Sequence, residues 1–395
     1  MTFKLGLVAG EPSGDLIAAE VLQGLLQQRP NLEAGGIGGS QLQAAGLDIW
    51  EPMNALSVFG YVDAIKSLPR LLSIYRRVSN RWLTERPDLF LGIDAPDFNL
   101  RLEHKLRKKG IPTVHFVGPS IWAWRYERIH HIREAVSHML VLFPFEVEIY
   151  QKEGIPVTYV GHPMADSIAL EPDQHGARLA MGLDAETRVV AILPGSRSSE
   201  IRLMGPRFLQ AAQRLQERDT SLTFLVPMVN ETRQAEFMAL LAEYPVKNLK
   251  VLTPDDLTSR HGEPISWSVL AACDMALVTS GTATLEAALF KRPMVISYVL
   301  SPWMRRIMAW KSGQDKPTLP WVGLPNVLSR EFVVPEILQD EATPDHLAKT
   351  FWALWQDTDR RAAIQTQFKA LHHTLRCGTA QRSADAILKV LEGSS

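Results

Sequence analysis

Apolar runs alternate with amphipathic stretches along most of this chain. The clearest run, Val189 to Leu193, has no polar residue and stops at Pro194-Gly195, which indicates a strand buried on both faces. An amphipathic stretch follows from about Ser199 and predicts a helix. A buried strand, a short turn and a helix N-terminus bring free backbone N–H groups together at the positive end of the helix dipole. The sequence therefore predicts a candidate anion site at this turn.

Two turns of this kind occur in the second half of the chain. The first contains Gly195, Ser196 and Arg197, and the arginine adds a planar cation suited to a phosphate. The alternative for this turn is an ordinary connection with a surface arginine. The second turn follows the predicted strand 276–278 and consists of Ser280, Gly281 and Thr282.

The helix after the second turn carries Glu286 about one turn from its start, where a carboxylate could accept hydrogen bonds from ribose hydroxyls. The alternative is that Ser280 and Thr282 only cap this helix and that Glu286 is exposed.

The first half of the chain shows the same alternation of strands and helices. Its predicted strands are 3–9, 88–93, 113–117, 139–143 and 157–160. Alternation of this type predicts a doubly wound parallel sheet, and ligands of such sheets bind at the carboxyl ends of the strands. The usual glycine-rich dinucleotide and P-loop spacings are absent from the sequence.

Carboxylates follow two of these strands. Asp94 lies directly at the end of strand 88–93, where a general base is useful, and Asp97 is the alternative base or the N-cap of the next helix. Glu11 and Asp15 follow the first strand, where they suit sugar hydroxyls, although Asp15 could simply cap the helix that starts there.

Residues 67–82 predict an amphipathic helix with a basic rim. Its regular apolar stripe is the kind that packs on a core, while Ile65 and Ile74 lie off that stripe. Excess apolar surface with a cationic rim suits a membrane interface or an acyl-bearing substrate; the alternative is a helix that faces only the core. The candidate membrane- or acyl-facing residues are Ile65, Leu68, Leu71, Leu72, Ile74 and Tyr75.

Length and composition limit the class of protein. The 395 residues predict two domains, which we place at 1–170 and 171–340, with a helical tail at 341–395 that returns to the first domain or to a second subunit. A net charge of −1 gives no general attraction to nucleic acid. The two distant cysteines suit a reducing cytoplasm, and we expect neither a signal peptide nor a spanning helix.

The sequence offers little support for a metal or a cofactor. The Asp357-Thr358-Asp359 stretch reads as a helix cap, and the doublets His130-His131 and His372-His373 show no cysteine or carboxylate at ligand spacing. We therefore expect neither to be bound.

Several motifs together resemble one enzyme family. In chain order they are 9–15, 92–99, 119–124, 161–163, 193–197, 280–286 and 324–326, and they span nearly the full length. The chain resembles the lipid-A-disaccharide synthases, inverting glycosyltransferases of lipid A biosynthesis. The resemblance implies an α/β GT-B fold, in which two Rossmann-like domains face each other across a cleft.

The resemblance also implies a reaction: UDP-2,3-diacylglucosamine donates its sugar to the 6-hydroxyl of 2,3-diacylglucosamine 1-phosphate (lipid X). The base would be Asp94, with Asp97 or Glu11 as alternatives, and Glu286 would hold the ribose. Asn326 would contact the nucleotide or the wall of the site. The diphosphate would be stabilised without a metal by Arg197, Ser280, Gly281 and Thr282.

The acyl substrates imply peripheral binding to the cytoplasmic face of the inner membrane, and the family allows a homodimer with exchanged C-terminal segments. The segments 254–267 and 311–321 depart from the family pattern, because both look longer than usual. Two rival functions stay open: a nonhydrolysing UDP-N-acetylglucosamine epimerase, and a nucleotide-sugar-binding protein without turnover.

Overall fold

The computed structural model describes residues 2–56, 61–123, 126–256, 263–301, 306 and 319–393, with only the backbone described for 61–68. The chain divides into two compact units. The first contains the chain up to Asp166 and again from Leu375, and the second runs from Ser167 to Thr374.

Each unit is built on one parallel sheet. The strands of the first unit are β1 (Phe3–Ala9), β2 (Leu32–Gly38), β3 (Asp48–Pro52), β4 (Leu89–Ile93), β5 (Thr113–Phe116), β6 (His138–Val141) and β7 (Val157–Tyr159). Those of the second unit are β8 (Val189–Leu193), β9 (Thr223–Pro227), β10 (Leu249–Leu252), β11 (Met275–Thr279), β12 (Met294–Tyr298) and β13 (Glu336–Leu338).

The strand orders are β3-β2-β1-β4-β5-β6-β7 and β10-β9-β8-β11-β12-β13. Both are doubly wound, and the order reverses between β1 and β4 in one sheet and between β8 and β11 in the other.

Helices connect the strands in both units. In chain order, the described α-helices are α1 (Pro12–Gln28), α2 (Ser40–Ala44), α3 (Tyr61–Glu85), α4 (Pro96–Arg107), α5 (Ile129–Ala135), α6 (Pro144–Lys152), α7 (Pro163–Ser167), α8 (Gln174–Ala180), α9 (Ser198–Arg218), α10 (Glu231–Glu243), α11 (Ile265–Ala272), α12 (Thr282–Leu289), α13 (Leu324–Ser329), α14 (Pro344–Gln356), α15 (Thr358–Leu375) and α16 (Thr379–Gly393).

Helix α3 packs on the first sheet through a large aromatic residue. Trp82 is 1% exposed, and its ring stands nearly perpendicular to that of Phe90, with the centroids 5.0 Å apart. Gly6 of β1 leaves room for the indole, because a Cβ there would lie 2.7 Å from the indole nitrogen. Ile74 and Val78 precede Trp82 at four-residue intervals, share its face of the helix and are buried with it. The prediction that Ile74 lies off the core face was therefore wrong.

The last helix belongs to the first unit. Helix α16 packs on α1, where Gln28 donates a hydrogen bond to Asp385 at 2.8 Å and Arg29 pairs with Glu392 at 3.0 Å. The Asp166 carboxylate accepts hydrogen bonds from backbone N–H groups at the start of α16. The segment predicted as one tail is therefore divided, with α14 and nearly all of α15 in the second unit.

Candidate functional site

The reversal point of the first sheet brings together two chain segments that are far apart in sequence. Gly10 and Glu11 follow β1, and Asp94 follows the neighbouring β4. The Asp94 carboxylate accepts a hydrogen bond from the Gly10 N–H at 2.8 Å and another from the Glu11 N–H at 3.3 Å. The sequence-predicted base thus lies where the topology of such sheets places ligands.

Backbone strain is concentrated at this edge. Asp94 and Ala95 have φ values of +51° and +39°, and Val117 after β5 has +66°. Each such residue costs about 1–3 kcal/mol, and strain of this kind is typical of functional sites. The Asn99 amide stabilises the first of these turns, because it donates to the main-chain oxygens of Ile93 and Asp94 at 3.1 and 2.9 Å.

The environment of Asp94 adjusts its acidity. Burial raises the pKa of its carboxyl to about 7, the Gly10 N–H opposes that rise, and the nearby Glu11 carboxylate adds to it. A pKa near neutrality suits a general base. Gly14 of α1 is required beside it, since a Cβ at this position would overlap Asp94 Oδ2.

The other predicted carboxylates have different surroundings. Asp97 lies in the first turn of α4, exposed and 2.6 Å from Arg128, and the N-cap of this helix is Ala95, so the N-cap interpretation of Asp97 was wrong. Glu11 is exposed at the N-cap of α1 and makes no side-chain cap hydrogen bond. Asp15 caps α2 rather than its own helix, because it accepts hydrogen bonds from backbone N–H groups at the start of α2.

Two further groups lie beyond β6 and β7: the carboxylate of Glu146, in the first turn of α6, which the sequence pattern did not predict, and the imidazole of His162, which belongs to the motif 161–163 but was given no role. Burial raises the pKa of Glu146 to about 7, and hydrogen bonds from the Phe143 N–H and the Trp122 side chain oppose this rise. Burial lowers the pKa of His162 to about 4, so this imidazole is neutral at neutral pH. Its ring stacks on Phe143 with centroids 5.7 Å apart. The signal that could have found Glu146 is its place in the first turn of the helix that follows β6.

The first turn of the second unit is already occupied by a carboxylate. Glu200 Oε2 accepts hydrogen bonds from the backbone N–H groups of Ser196 and Arg197 at 3.0 and 3.2 Å. Gly195 has a φ of +109°, and a Cβ there would meet the Glu200 side chain. The expectation of free N–H groups was therefore wrong. The Arg197 side chain remains 79% exposed.

The second turn is open. Gly281 is the N-cap of α12, and Thr282 is exposed as the first helical residue. Among the described residues, no atom beyond the two chain neighbours of Gly281 lies within 4 Å of the position of its Cβ. The Ser280 hydroxyl donates to the Val322 carbonyl at 3.1 Å. The interpretation of Ser280 and Thr282 as side-chain caps was therefore wrong.

Glu286 is half-buried, contrary to the alternative that placed it on the surface. It accepts a hydrogen bond from the Ser266 hydroxyl at 3.0 Å. Burial raises the pKa of the Glu286 carboxyl, and hydrogen bonds from Ser266 and Trp267 oppose this rise.

Asn326 is completely buried. Its amide nitrogen donates to the Val334 carbonyl and to Glu336, and its oxygen accepts from the Val334 N–H. Glu336 in turn accepts from the Val322 and Gly323 N–H groups, so Asn326 supports the loop beside Ser280. Both functional groups of the Asn326 amide are bonded inside the protein, which favours the prediction that this residue belongs to the wall of the site over the prediction that it contacts the nucleotide.

One group of side chains in the described part of the chain has the composition of a metal site. His104 of α4 lies close to His131 and Glu134 of α5, with ligand atoms within 4.8 Å of one another. The statement that the His130-His131 doublet has no carboxylate at ligand spacing was therefore wrong. Burial is the main cause that lowers the pKa of His131, and the charges of His104, Arg128 and Arg101 lower it further. These two guanidinium groups oppose the binding of a cation.

The basic helix presents few of its predicted apolar residues to solvent. Leu72 is 47% exposed and Leu71 is half-buried. Tyr75 is half-buried: it packs against the core and donates to the Arg101 carbonyl. Ile74 is buried, so its predicted surface-facing position was wrong. The side chains of Ile65 and Leu68 lie outside the described residues, as do 257–262 and 311–318 of the two long segments. None of the described helices is long and apolar enough to span a bilayer.

Solved structures share this architecture. UDP-GlcNAc 2-epimerase from Neisseria meningitidis, bound to UDP-GlcNAc, aligns with 99% of this chain and 100% of its own, with a TM-score of 0.65 and 12% identity. Sucrose-phosphate synthase from Thermosynechococcus elongatus aligns over 100% of both chains, with a TM-score of 0.62 and 13% identity. Two Rossmann-like units and these similarities define a GT-B fold.

The sequence gives the family directly. Residues 5–390 match the lipid-A-disaccharide synthetase family. The lipid-A-disaccharide synthase of Bordetella petrii is 63% identical over 395 residues, which is 100% of both chains. This chain belongs to the lipid-A-disaccharide synthetase family. The epimerase is therefore a relative in fold only.

Proposed function

We propose that this protein transfers the sugar of UDP-2,3-diacylglucosamine to the 6-hydroxyl of 2,3-diacylglucosamine 1-phosphate. The C1–O bond to the diphosphate breaks, UDP leaves with the bonding electrons, and a β-1,6 bond forms between the acceptor oxygen and C1. The observation that carries the catalytic part of this proposal is the buried Asp94 carboxylate, held on a strained turn at the reversal point with a pKa of about 7.

Asp94 would act as the general base. Attack on the face opposite the leaving group requires an acceptor for the hydroxyl proton, and Asp94 can take that proton at neutral pH. Asp97 is a weaker candidate because it is exposed and paired with Arg128. Glu11 is exposed beside Asp94, where its charge favours the protonated form of that carboxyl.

The open turn of the second unit would bind the departing diphosphate. Gly281 and Thr282 lie at the positive end of α12, and no side chain of the described part of the chain occupies the space above Gly281. The exposed Arg197 guanidinium would add a cation, and Glu286 would accept a hydrogen bond from the ribose. These groups would stabilise the developing charge on UDP.

The acyl chains of both substrates suggest that the enzyme works at a membrane surface. The exposed Leu72 and the cationic residues around it on α3 support peripheral docking on the cytoplasmic face of the inner membrane. The homodimer stays a prediction that comes from the family resemblance.

The proposal is tested by incubating the protein with labelled UDP-2,3-diacylglucosamine, with and without the acceptor. UDP release and disaccharide formation that both require the acceptor support the transferase. Conversion of the donor without the acceptor indicates epimerase-like chemistry, and binding without turnover indicates a carrier; either result contradicts the proposal. The Asp94→Asn variant serves as the matched inactive control.

A further inference from the structure

Three polar side chains are completely buried behind the Asp94 turn. Asn99 and Glu103 lie one helical turn apart on the same face of α4, and His115 lies on β5. Burial of ionisable groups in an apolar core is destabilising unless they are paired. The contacts of these three side chains link them to one another and to the Asp94 turn.

Glu103 and His115 form a close pair. The distance from His115 Nδ1 to Glu103 Oε1 is 2.7 Å, which requires a proton between the two atoms. Complete burial raises the pKa of Glu103, and the charge and hydrogen bond of His115 oppose that rise. Gly92 of β4, the neighbour of His115 in the sheet, provides the space, because a Cβ there would overlap Glu103 Oε1.

The pair is not fixed by other hydrogen bonds. His115 Nε2 and Glu103 Oε2 are buried and have no hydrogen-bond partner among the described protein groups. The proton can therefore move along the line between Nδ1 and Oε1 without breaking a second hydrogen bond.

Two routes connect the pair to Asp94. Asn99 lies beside the same Gly92 position as Glu103 and donates to the Asp94 main-chain oxygen, so the side chain that holds the strained turn is next to the pair. The second route is electrostatic: a positive charge on His115 favours the ionised Asp94 carboxylate, whereas Glu11, on the solvent side of the turn, disfavours it.

We infer that Glu103 and His115 are a proton-sharing pair that positions the Asp94 turn and sets the charge behind its carboxylate. They are positioning residues, since neither reaches the surface of the site. The catalytic consequence rests on the proposed function, in which Asp94 is the base. The effect of the pair on the titration of Asp94 does not depend on that proposed function.

The test follows the titration of Asp94 directly, by ¹³C NMR of the carboxyl carbon in the full-length protein. His115→Gln removes the group behind the turn whose positive charge would favour the ionised Asp94 carboxylate, so the Asp94 midpoint should move to higher pH. Glu103→Gln should move it in the same direction, because His115 then loses its ionised partner. The double variant should give no more than the His115→Gln shift, since the two residues act as one unit.

The matched control is Thr113→Val. Thr113 lies on the same strand, is completely buried, and donates its hydroxyl proton to the Ala135 carbonyl at 2.8 Å. The variant should lower stability but leave the Asp94 midpoint unchanged. An unchanged midpoint in folded His115→Gln and Glu103→Gln proteins overturns the inference.

A measurement on the unmodified protein covers the case in which both variants fail to fold. A shared proton should appear as a strongly downfield ¹H signal coupled to His115 Nδ1, and its absence overturns the inference. The pH profile of transfer separates this inference from the base assignment. A midpoint that moves while the profile stays fixed supports the action of the pair on Asp94 and contradicts Asp94 as the base.

Discussion

Glu200 Oε2 lies 3.0 Å from the backbone nitrogen of Ser196 and accepts its hydrogen bond. The carboxylate thereby occupies, from within the protein, the position that an anionic ligand would take at the start of α9. A charged side chain in this position competes with a diphosphate for the turn.

The first prediction follows from this competition. Glu200→Gln keeps a hydrogen-bond acceptor at the turn but removes its negative charge, so UDP should bind about 2- to 5-fold more tightly. Isothermal titration with UDP measures the change. Glu231→Gln, at the exposed first position of α10, is the control and should leave the affinity unchanged. Unchanged or weaker binding to Glu200→Gln would show that the charge of Glu200 does not oppose the binding of the diphosphate.

The second prediction concerns the base. Asp94→Asn should lower kcat on the order of 10²-fold or more while the fold is retained, because the amide cannot accept the proton. For the unmodified enzyme, kcat/KM should fall as the pH drops below about 7, where Asp94 becomes protonated. Asp97→Asn should change the rate little, since Asp97 is exposed and paired with Arg128. Full activity of Asp94→Asn would remove Asp94 from the mechanism.

The third prediction tests the space beside the Asp94 carboxylate. In Gly14→Ala the new methyl group would overlap Asp94 Oδ2, and the displaced carboxylate should cost on the order of 10²-fold in rate. Gly24→Ala in the same helix is the control, because its Cβ would meet Ala384 at an ordinary 3.4 Å. It should keep full activity and gain about 0.5–1 kcal/mol in stability. Equal activities of the two variants would contradict the prediction.

The fourth prediction separates the two faces of α3. Leu72→Ser should weaken binding to anionic phospholipid vesicles without loss of stability, because Leu72 is exposed. Ile74→Ser should lower the free energy of unfolding by about 3 kcal/mol or more, since Ile74 lies in the core. Vesicle co-sedimentation and chemical denaturation measure the two effects. Unchanged vesicle binding of Leu72→Ser would contradict a role for this face in docking.

The fifth prediction concerns acid stability. The pKa of His162 is about 4 in the folded protein, below the usual value of 6.5, so its contribution to stability is complete above pH 6.5 and is lost as the pH falls toward 4. This loss amounts to about 3 kcal/mol. His162→Asn retains an acceptor for the Met164 N–H and should flatten that part of the stability curve. The exposed His130→Asn control should leave the curve unchanged, and a curve that His162→Asn does not alter would refute this account.

Local pattern predicted the parallel sheets and the position of Asp94, because buried strands and strand-end carboxylates are visible in a short window of sequence. Strand β2 was missed because Gly35, Gly36 and Gly38 lower its intrinsic preference for strand. Gly35 is needed there since a Cβ would lie 2.7 Å from the Trp50 ring. Packing against distant residues overrides the local preference.

The turn that Glu200 occupies and the buried pair of Glu103 and His115 show the same limit of prediction from residue patterns. Glu200 is close in sequence to the turn that it occupies, but the direction of its side chain depends on the φ of Gly195, which a pattern of residue types does not specify. Glu103 and His115 belong to different elements and meet only through the register of β4 and β5. Periodicity identifies which face of a helix is buried. It does not identify the residue of the sheet that this face contacts.

Because α16 packs on α1, the two units are completed in a fixed order during synthesis on the ribosome. The second unit is complete in one stretch of chain and can begin to fold as soon as it emerges. The first unit starts earlier but gains α16 only after the whole second unit has been synthesised, so the surface of α1 that receives α16 stays uncovered during that time. A nascent chain that stalls before α16 is made therefore exposes an unfinished face of the unit that contains Asp94.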